Sequence, residues 1–180
     1  MEQLELLPLD HNEPAELCAA IRARRGGSLM KLDRMLLHSP VVAEGWNIYM
    51  GNLRTKLTLN PQLRELAMCV VAVINKADYE YEAHAPIYVA EGASQAQADA
   101  LLKAGSDAFD ASLFNDLERD AVALVVAMTR DIVVPEELKS RLLSQIGSGH
   151  LVELIAVTAA YNMVSRFLVA TGIHSEKKKL

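Results

Sequence analysis

Apolar residues along this chain recur every three to four positions, and no segment alternates convincingly with period two, so the pattern is that of helices rather than strands. The punctuation between them is dense. Asn12 with Pro14 opens a predicted helix running to about Arg25, which Gly26-Gly27 stops. A short helix over Met30 to His38 follows. Ser39-Pro40 then sets a cap ahead of a first-turn proline and starts a helix through about Lys56. Asn60-Pro61 repeats the device and launches a helix whose positions Leu66 to Ile74 are all apolar.

Asp78 is the predicted cap of the next helix, Tyr79 to about Glu91, with Gly92 after it. Pro86 lies inside that helix, where it removes the bond to the Glu82 carbonyl and should bend the axis. Ser94 with Gln97 and Asn115 with Glu118 have the spacing of capping boxes. The first opens a helix ending at Gly105, and the second precedes the apolar run Ala121 to Met128. Pro135 to Ile146, ended by Gly147, and His150 to about Ala170, ended by Gly172, complete the set. The expected fold class is all-α, a bundle of about eight or nine helices, in one domain over 1–180 with no internal boundary. Three helices (those holding Cys69, Val125 and Ile155) are apolar nearly all round and need cover on every side. In a chain of 180 residues that predicts a homo-oligomer.

Composition narrows the possibilities. A net charge of −5 leaves no basic face for a nucleic acid. The one basic run, Lys177-Lys178-Lys179, closes the chain as a solvated tail over 175–180. Cys18 and Cys69 fall in different helices and outside any C-x-x-C pattern, against a disulfide scaffold or zinc site. The first residues lack the basic and apolar regions of a signal peptide. The apolar runs reach about half of the roughly 20 residues that span a bilayer. A soluble cytoplasmic protein with reduced thiols and no membrane partner is expected. No phosphate loop, nucleotide fingerprint or nucleophile elbow occurs, so nucleotide cofactors and serine hydrolysis are not expected.

The chemistry concentrates between Glu65 and His84. A carboxylate precedes the apolar run, and Tyr79-Glu80-Tyr81-Glu82-Ala83-His84 follows it. Glu80 and His84 are i and i+4 on one helix face, with Tyr81, His84 and Tyr88 along an adjoining stripe. Glu80 stands in the first turn, where the helix dipole favours its negative charge. An imidazole beside such a carboxylate is held protonated and oriented. The plain alternative is an exposed ion pair beside a core tyrosine stripe, with Glu65 a first-turn carboxylate. Nothing in the spacing alone connects Glu65 to His84.

The pattern Glu65-x11-Ala77-x2-Glu80-x3-His84 resembles the core motif of the carboxymuconolactone decarboxylase and alkylhydroperoxidase family. In the family's peroxidase branch two redox cysteines stand where this chain has Ala77 and Glu80. The Tyr79-Glu80-x3-His84 form looks like the branch lacking that pair. His38-Ser39-Pro40 with Trp46, and Val152-Glu153-Leu154-Ile155 through Tyr161-Asn162-Met163 and Arg166, extend the resemblance over about 26–172. It implies an AhpD-like helical bundle assembling as trimers or hexamers.

Four readings follow. In the first, a cofactor-free acid–base enzyme acts on a small lactone or other activated carboxylic acid. His84 moves the proton, Glu65 orients and tunes the imidazole, and Glu80 pairs with it or handles a second proton. Tyr79 or Tyr81 donates to a developing enolate oxygen, with Arg64 or Arg166 as anchor for a substrate carboxylate. Cys69, Tyr88, Tyr161 and Asn162 complete the expected pocket, and His84→Ala should end turnover with the fold intact. In the second, Cys69, one turn after Glu65, is the nucleophile of an antioxidant peroxidase. In the third, Glu80 with His84 and His150 with Glu153 supply metal ligands, although no Glu-x-x-His pair of the di-iron kind occurs. In the fourth, an oligomeric binder holds an apolar ligand among Tyr81, Tyr88, Trp46 and Tyr161. The first is preferred, with no cofactor and no metal.

Overall fold

The computed structural model describes residues 4–175. The Lys177–Lys179 tail therefore lies outside the described residues. Eight α-helices and one short 3-10 turn account for the regular structure, and the described residues contain no strand. They divide into two compact units, one running to Leu57 and including Ala170–Ile173, the other beginning at Thr58. No change in composition marks that point, which is why the sequence reads as continuous.

The first unit holds α1 (Ala15–Arg25), α2 (Lys31–Leu36) and α3 (Pro40–Thr55). Gly26 ends α1 in the left-handed region at φ 80°, as its lack of a Cβ permits. Ser39 precedes α3 but its side chain caps nothing, contrary to the sequence expectation, and Pro40 alone marks the start. Cys18, Ile21, Met35, Trp46, Met50 and Leu53 form this unit's core. Asp33, buried, is held by Arg25 at 3.0 Å and by the Met30 backbone N–H at 3.0 Å.

The second unit is built on α4 (Pro61–Ile74), which packs against α5 (Asp78–Ala90), α6 (Gln95–Leu101) and α7 (Asp116–Arg130). Seven successive α4 residues, Leu66 to Ala72, are 0% exposed. Burial on every side is what an all-apolar run demands, at about 1.5–3 kcal/mol for each large side chain removed from water. Asn60 caps α4 by accepting from the Leu63 N–H at 3.2 Å, and both expected capping boxes form, Ser94 with Gln97 and Asn115 with Glu118. Helix α5 continues through Pro86.

The last two predicted helices form as expected on either side of Gly147, which is non-helical at φ 74°, ψ 168°, and the two segments together are labelled α8 (Glu136–Ala170). Its length and composition would suit a membrane span, but half of its most apolar window is buried in the protein, as in a core helix. The expectation that three helices are apolar all round holds for α4 only. Helix α7 turns Arg119 and Ala123 outward, and α8 leaves Val152, Met163 and Val169 exposed.

Candidate active site

Helices α4 and α5 form a hairpin whose connection, Asn75 to Ala77, is closed by Lys76 at φ 57°. At about 1.5 Å per residue, Glu65 lies roughly 13 Å before the end of α4 and His84 roughly 9 Å into α5. Antiparallel packing brings them nearly level, and the reach of a glutamate closes the difference. This is how residues 19 apart meet.

His84 Nδ1 and Glu65 Oε2 share a hydrogen bond of 2.6 Å, and His84 Nε2 lies 3.3 Å from Glu80 Oε2 in an ion-pair contact. Arg64 donates to the other Glu65 oxygen, Oε1, from Nε and Nη2, both at 3.3 Å. The result is a row Arg64–Glu65–His84–Glu80 with alternating charge. It is nearly closed to water: Glu65 is 3%, Glu80 5% and His84 1% exposed. Tyr161 of α8 meets the imidazole edge-on, ring centroids 5.0 Å apart at 85°, and fixes the plane of the ring.

Burial acts against charge on His84, but the hydrogen bond to Glu65 and the neighbouring Glu80 outweigh it and raise the imidazole above its ordinary value. Burial likewise acts against a charged Glu65. His84 and Arg64 outweigh it and hold the carboxyl below the usual glutamate range. Both shifts favour the ionised row.

The other expected pocket residues are placed as follows. Cys69 is 0% exposed, and burial, then the charges of Glu65 and Glu80, push its thiol well up, so a thiolate is strongly disfavoured. The Tyr81 hydroxyl donates to the Ala98 carbonyl at 2.7 Å and so is already committed, contrary to its expected role toward an enolate. Tyr88 is fully buried, and burial, then Glu118 and Cys69, oppose its ionisation. Tyr79 is partly exposed, its N–H bonded to Asp78 Oδ1 at 2.8 Å.

Asn162 is committed elsewhere: it donates to Thr129 and to the Thr158 carbonyl, both at 3.0 Å, and accepts from Asn75 and Arg166. Arg166 is thereby tied to Asn162, as Arg64 is to Glu65. Glu153 accepts from Thr58 and Leu59 backbone N–H groups, at 3.0 and 2.6 Å, and holds the chain leading into α4. Among the described residues no cluster of three or more His, Cys, Asp or Glu side chains is arranged to hold a metal ion. Sequence reasoning missed the buried Glu118, which collects Gln62 and Gln97 as well as its own capping box. Its position three residues after Asn115 gave the box but not the partners.

An AhpD-like helical fold with a buried carboxylate–imidazole–carboxylate row at its central hairpin is the class of protein these features define. Residues 40–119, which include the whole row, match the model of the Carboxymuconolactone decarboxylase family. The resemblance read from the motif is thus shown over that stretch. No curated protein shows significant similarity to the chain. Among solved structures, an uncharacterized peroxidase-related protein from Silicibacter sp. TM1040 matches with a TM-score of 0.74 at 18% identity, covering 96% of this chain and 93% of that one. A variant of the debrominase Bmp8 in complex with 2,3,4-tribromopyrrole matches with a TM-score of 0.72 at 17% identity, covering 96% and 91%.

Proposed function

We propose that the protein is a cofactor-free acid–base enzyme of the carboxymuconolactone decarboxylase kind, acting on a small lactone or other activated carboxylic acid. The observation that carries this reading is the imidazole of His84, fixed between two buried carboxylates at 2.6 and 3.3 Å. A group so placed can pass a proton without reorganising, and proton transfer by a positioned side chain is worth roughly 100- to 10,000-fold in rate. Glu65 holds the ring in one tautomer and orientation, and Arg64 holds Glu65. The observations weigh against a peroxidase. Ala77 and Glu80 occupy the places of the redox pair, and the Cys69 thiol is buried and kept protonated.

The test is turnover of carboxymuconolactone, read as CO₂ release, beside organic-hydroperoxide consumption with a dithiol, for wild type and His84→Gln. Lactone turnover that vanishes in the variant is the expected result. Peroxide turnover with an inert lactone would overturn the reading. The exposed apolar residues of α8, Val152, Met163 and Val169, support a homo-oligomer, which light scattering would register as a mass above that of one chain.

A further inference from the structure

Away from the hairpin, the first unit carries a cavity with a strongly basic wall. Its volume is about 280 Å³, and it is lined by Arg24, Arg25, Met30, Gly51, Arg54 and Thr55, at the last turns of α1 and α3. Between Arg22 and Lys56 the chain has seven Lys or Arg against two acids, Asp33 and Glu44, a local charge of +5 in a chain whose total is −5. Glu44 lines a different groove, with Val41 and Ile48. Asp33 is buried and held by Arg24 at 3.5 Å and Arg25 at 3.0 Å, so it answers one of the three guanidinium charges. Arg54 makes no hydrogen bond or ion pair among the described residues.

Arginine in the last turn of a helix suits the dipole there. The dipole does not account for Gly51, since glycine inside a helix weakens it. A Cβ at Gly51 would stand 3.3 Å from Arg24 Cδ. The glycine thus gives the Arg24 side chain room to lie against α3, where its Nε donates to Asn47 Oδ1. We infer that this cavity binds a compact dianion of the phosphoryl type, as the free ion or as the head of a small ester. Guanidinium is always charged and presents its donors as a planar fork that matches an oxyanion. Three guanidiniums against one carboxylate leave two positive charges, which a dianion balances and a monocarboxylate does not. The volume falls just below the range of about 300–1,000 Å³ usual for drug-sized ligands, which suits a small ion or ester. No residue of the Arg64–Glu65–His84–Glu80 row lines this cavity, so the inference stands apart from the acid–base reading.

The test is calorimetric titration of the full chain with inorganic phosphate, glycerol 2-phosphate and succinate, at low and raised salt. Wild type is compared with Arg54→Gln, Arg54→Lys, Thr55→Glu and Arg141→Gln, and thermal melts report folding. Arg141, paired with Asp120 in the second unit, controls for the loss of one surface charge. Wild type should bind phosphate saturably, more weakly as salt rises, and melt at a higher temperature in its presence. Affinity should fall at least roughly tenfold in Arg54→Gln and be unchanged in Arg141→Gln. Arg54→Lys, which keeps the charge but loses the fork, should fall between. Thr55→Glu, which adds a carboxylate at an exposed position of the wall, should abolish binding even if the Arg54 variants fold poorly. Tighter binding of glycerol 2-phosphate than of inorganic phosphate would identify an ester as the ligand, and the reverse order the free ion. Equal affinity in wild type and Arg54→Gln, an equal loss in Arg141→Gln, a preference for succinate, or no saturable binding of either phosphate would overturn the site.

Discussion

Two buried glutamates in the same helical unit, Glu80 and Glu118, are held in contrasting ways. Their exposures are almost the same, 5% and 8%. Glu118 is surrounded by neutral donors: Gln62 Nε2 at 3.0 Å on one oxygen, and the Asn115 N–H at 2.9 Å and Gln97 Nε2 at 3.4 Å on the other. Amides and backbone groups hold a charge in place but cannot accept its proton load. Glu80 has a titratable partner, the His84 imidazole, 3.3 Å from Oε2. The first arrangement ties α4, α6 and α7 together. The second sets the carboxylate beside a neighbour that can itself carry charge.

The comparison is broken most severely at His84. The geometry predicts that His84→Ala, expected from the sequence to keep its fold, is strongly destabilised. Removing the ring leaves Glu65 and Glu80 as buried carboxylates without their shared cation. Taking away one partner of a buried ion pair costs about 3–5 kcal/mol, so denaturant unfolding of His84→Ala should show a loss of that order. His84→Gln, which fills the space and offers a donor, should lose less stability while losing turnover as fully. An alanine variant as stable as wild type would mean that the row does not carry its charges.

Glu118→Gln is the counterpart and the next largest effect. A glutamine has one acceptor oxygen, so its NH₂ must face at least one of the donors that the carboxylate now satisfies. About 1–3 kcal/mol of stability should be lost, measured by thermal or denaturant melting. Turnover per folded molecule should stay within about twofold, since mutation away from the reacting groups removes no proton-transfer step. A loss of kcat out of proportion to stability would place Glu118 in the chemistry and erase the distinction drawn here.

How much of this was legible in the sequence depended on whether a feature was local. The apolar run Leu66 to Ile74 announced a helix buried on all sides, and Glu80 and His84 four residues apart announced a shared face. The capping boxes at Ser94 and Asn115 were equally local. The Glu65–His84 bond was not, because it depends on the hairpin register set by three residues and a left-handed Lys76; only the family motif linked the two. Asp78 was misread as a cap for a similar reason. Ala77 takes that position, and the Asp78 carboxylate instead binds the Ser175 N–H at 3.0 Å, 97 residues away. Tyr81 and Asn162 were expected at the site on helical spacing and family likeness, but a side chain's destination is chosen by its tertiary neighbours.

The ionised row also sets a pH window. His84 has a raised value in the folded protein, so its stabilisation is complete below the unfolded value of about 6.5 and is lost as pH rises through the folded one. Glu65 has a lowered value, so its contribution is complete above about 4.3 and is lost as pH falls through the folded one. The stability difference between wild type and a Glu65→Gln, His84→Gln double variant should therefore be largest between those limits and shrink on both sides. Unfolding free energies across the acid-to-alkaline range check this. A difference that is flat with pH would show that the row's charges are not coupled to folding.

The smallest effect is expected at the cysteines, where the native protein should show almost none. Cys18 and Cys69 are both 0% exposed and unpaired with each other, and the Cys69 thiol is held protonated by burial beside Glu65 and Glu80. Reaction with an aromatic disulfide reagent needs access and thiolate; neither thiol offers access, and that of Cys69 is also kept from ionising. Native protein should thus release no chromophore over the time in which denatured protein releases two equivalents. Rapid native labelling that disappears in Cys69→Ser would reverse the argument. It would show that α4 opens at the hairpin on that timescale, and that the carboxylates beside Cys69 do not suppress its thiolate.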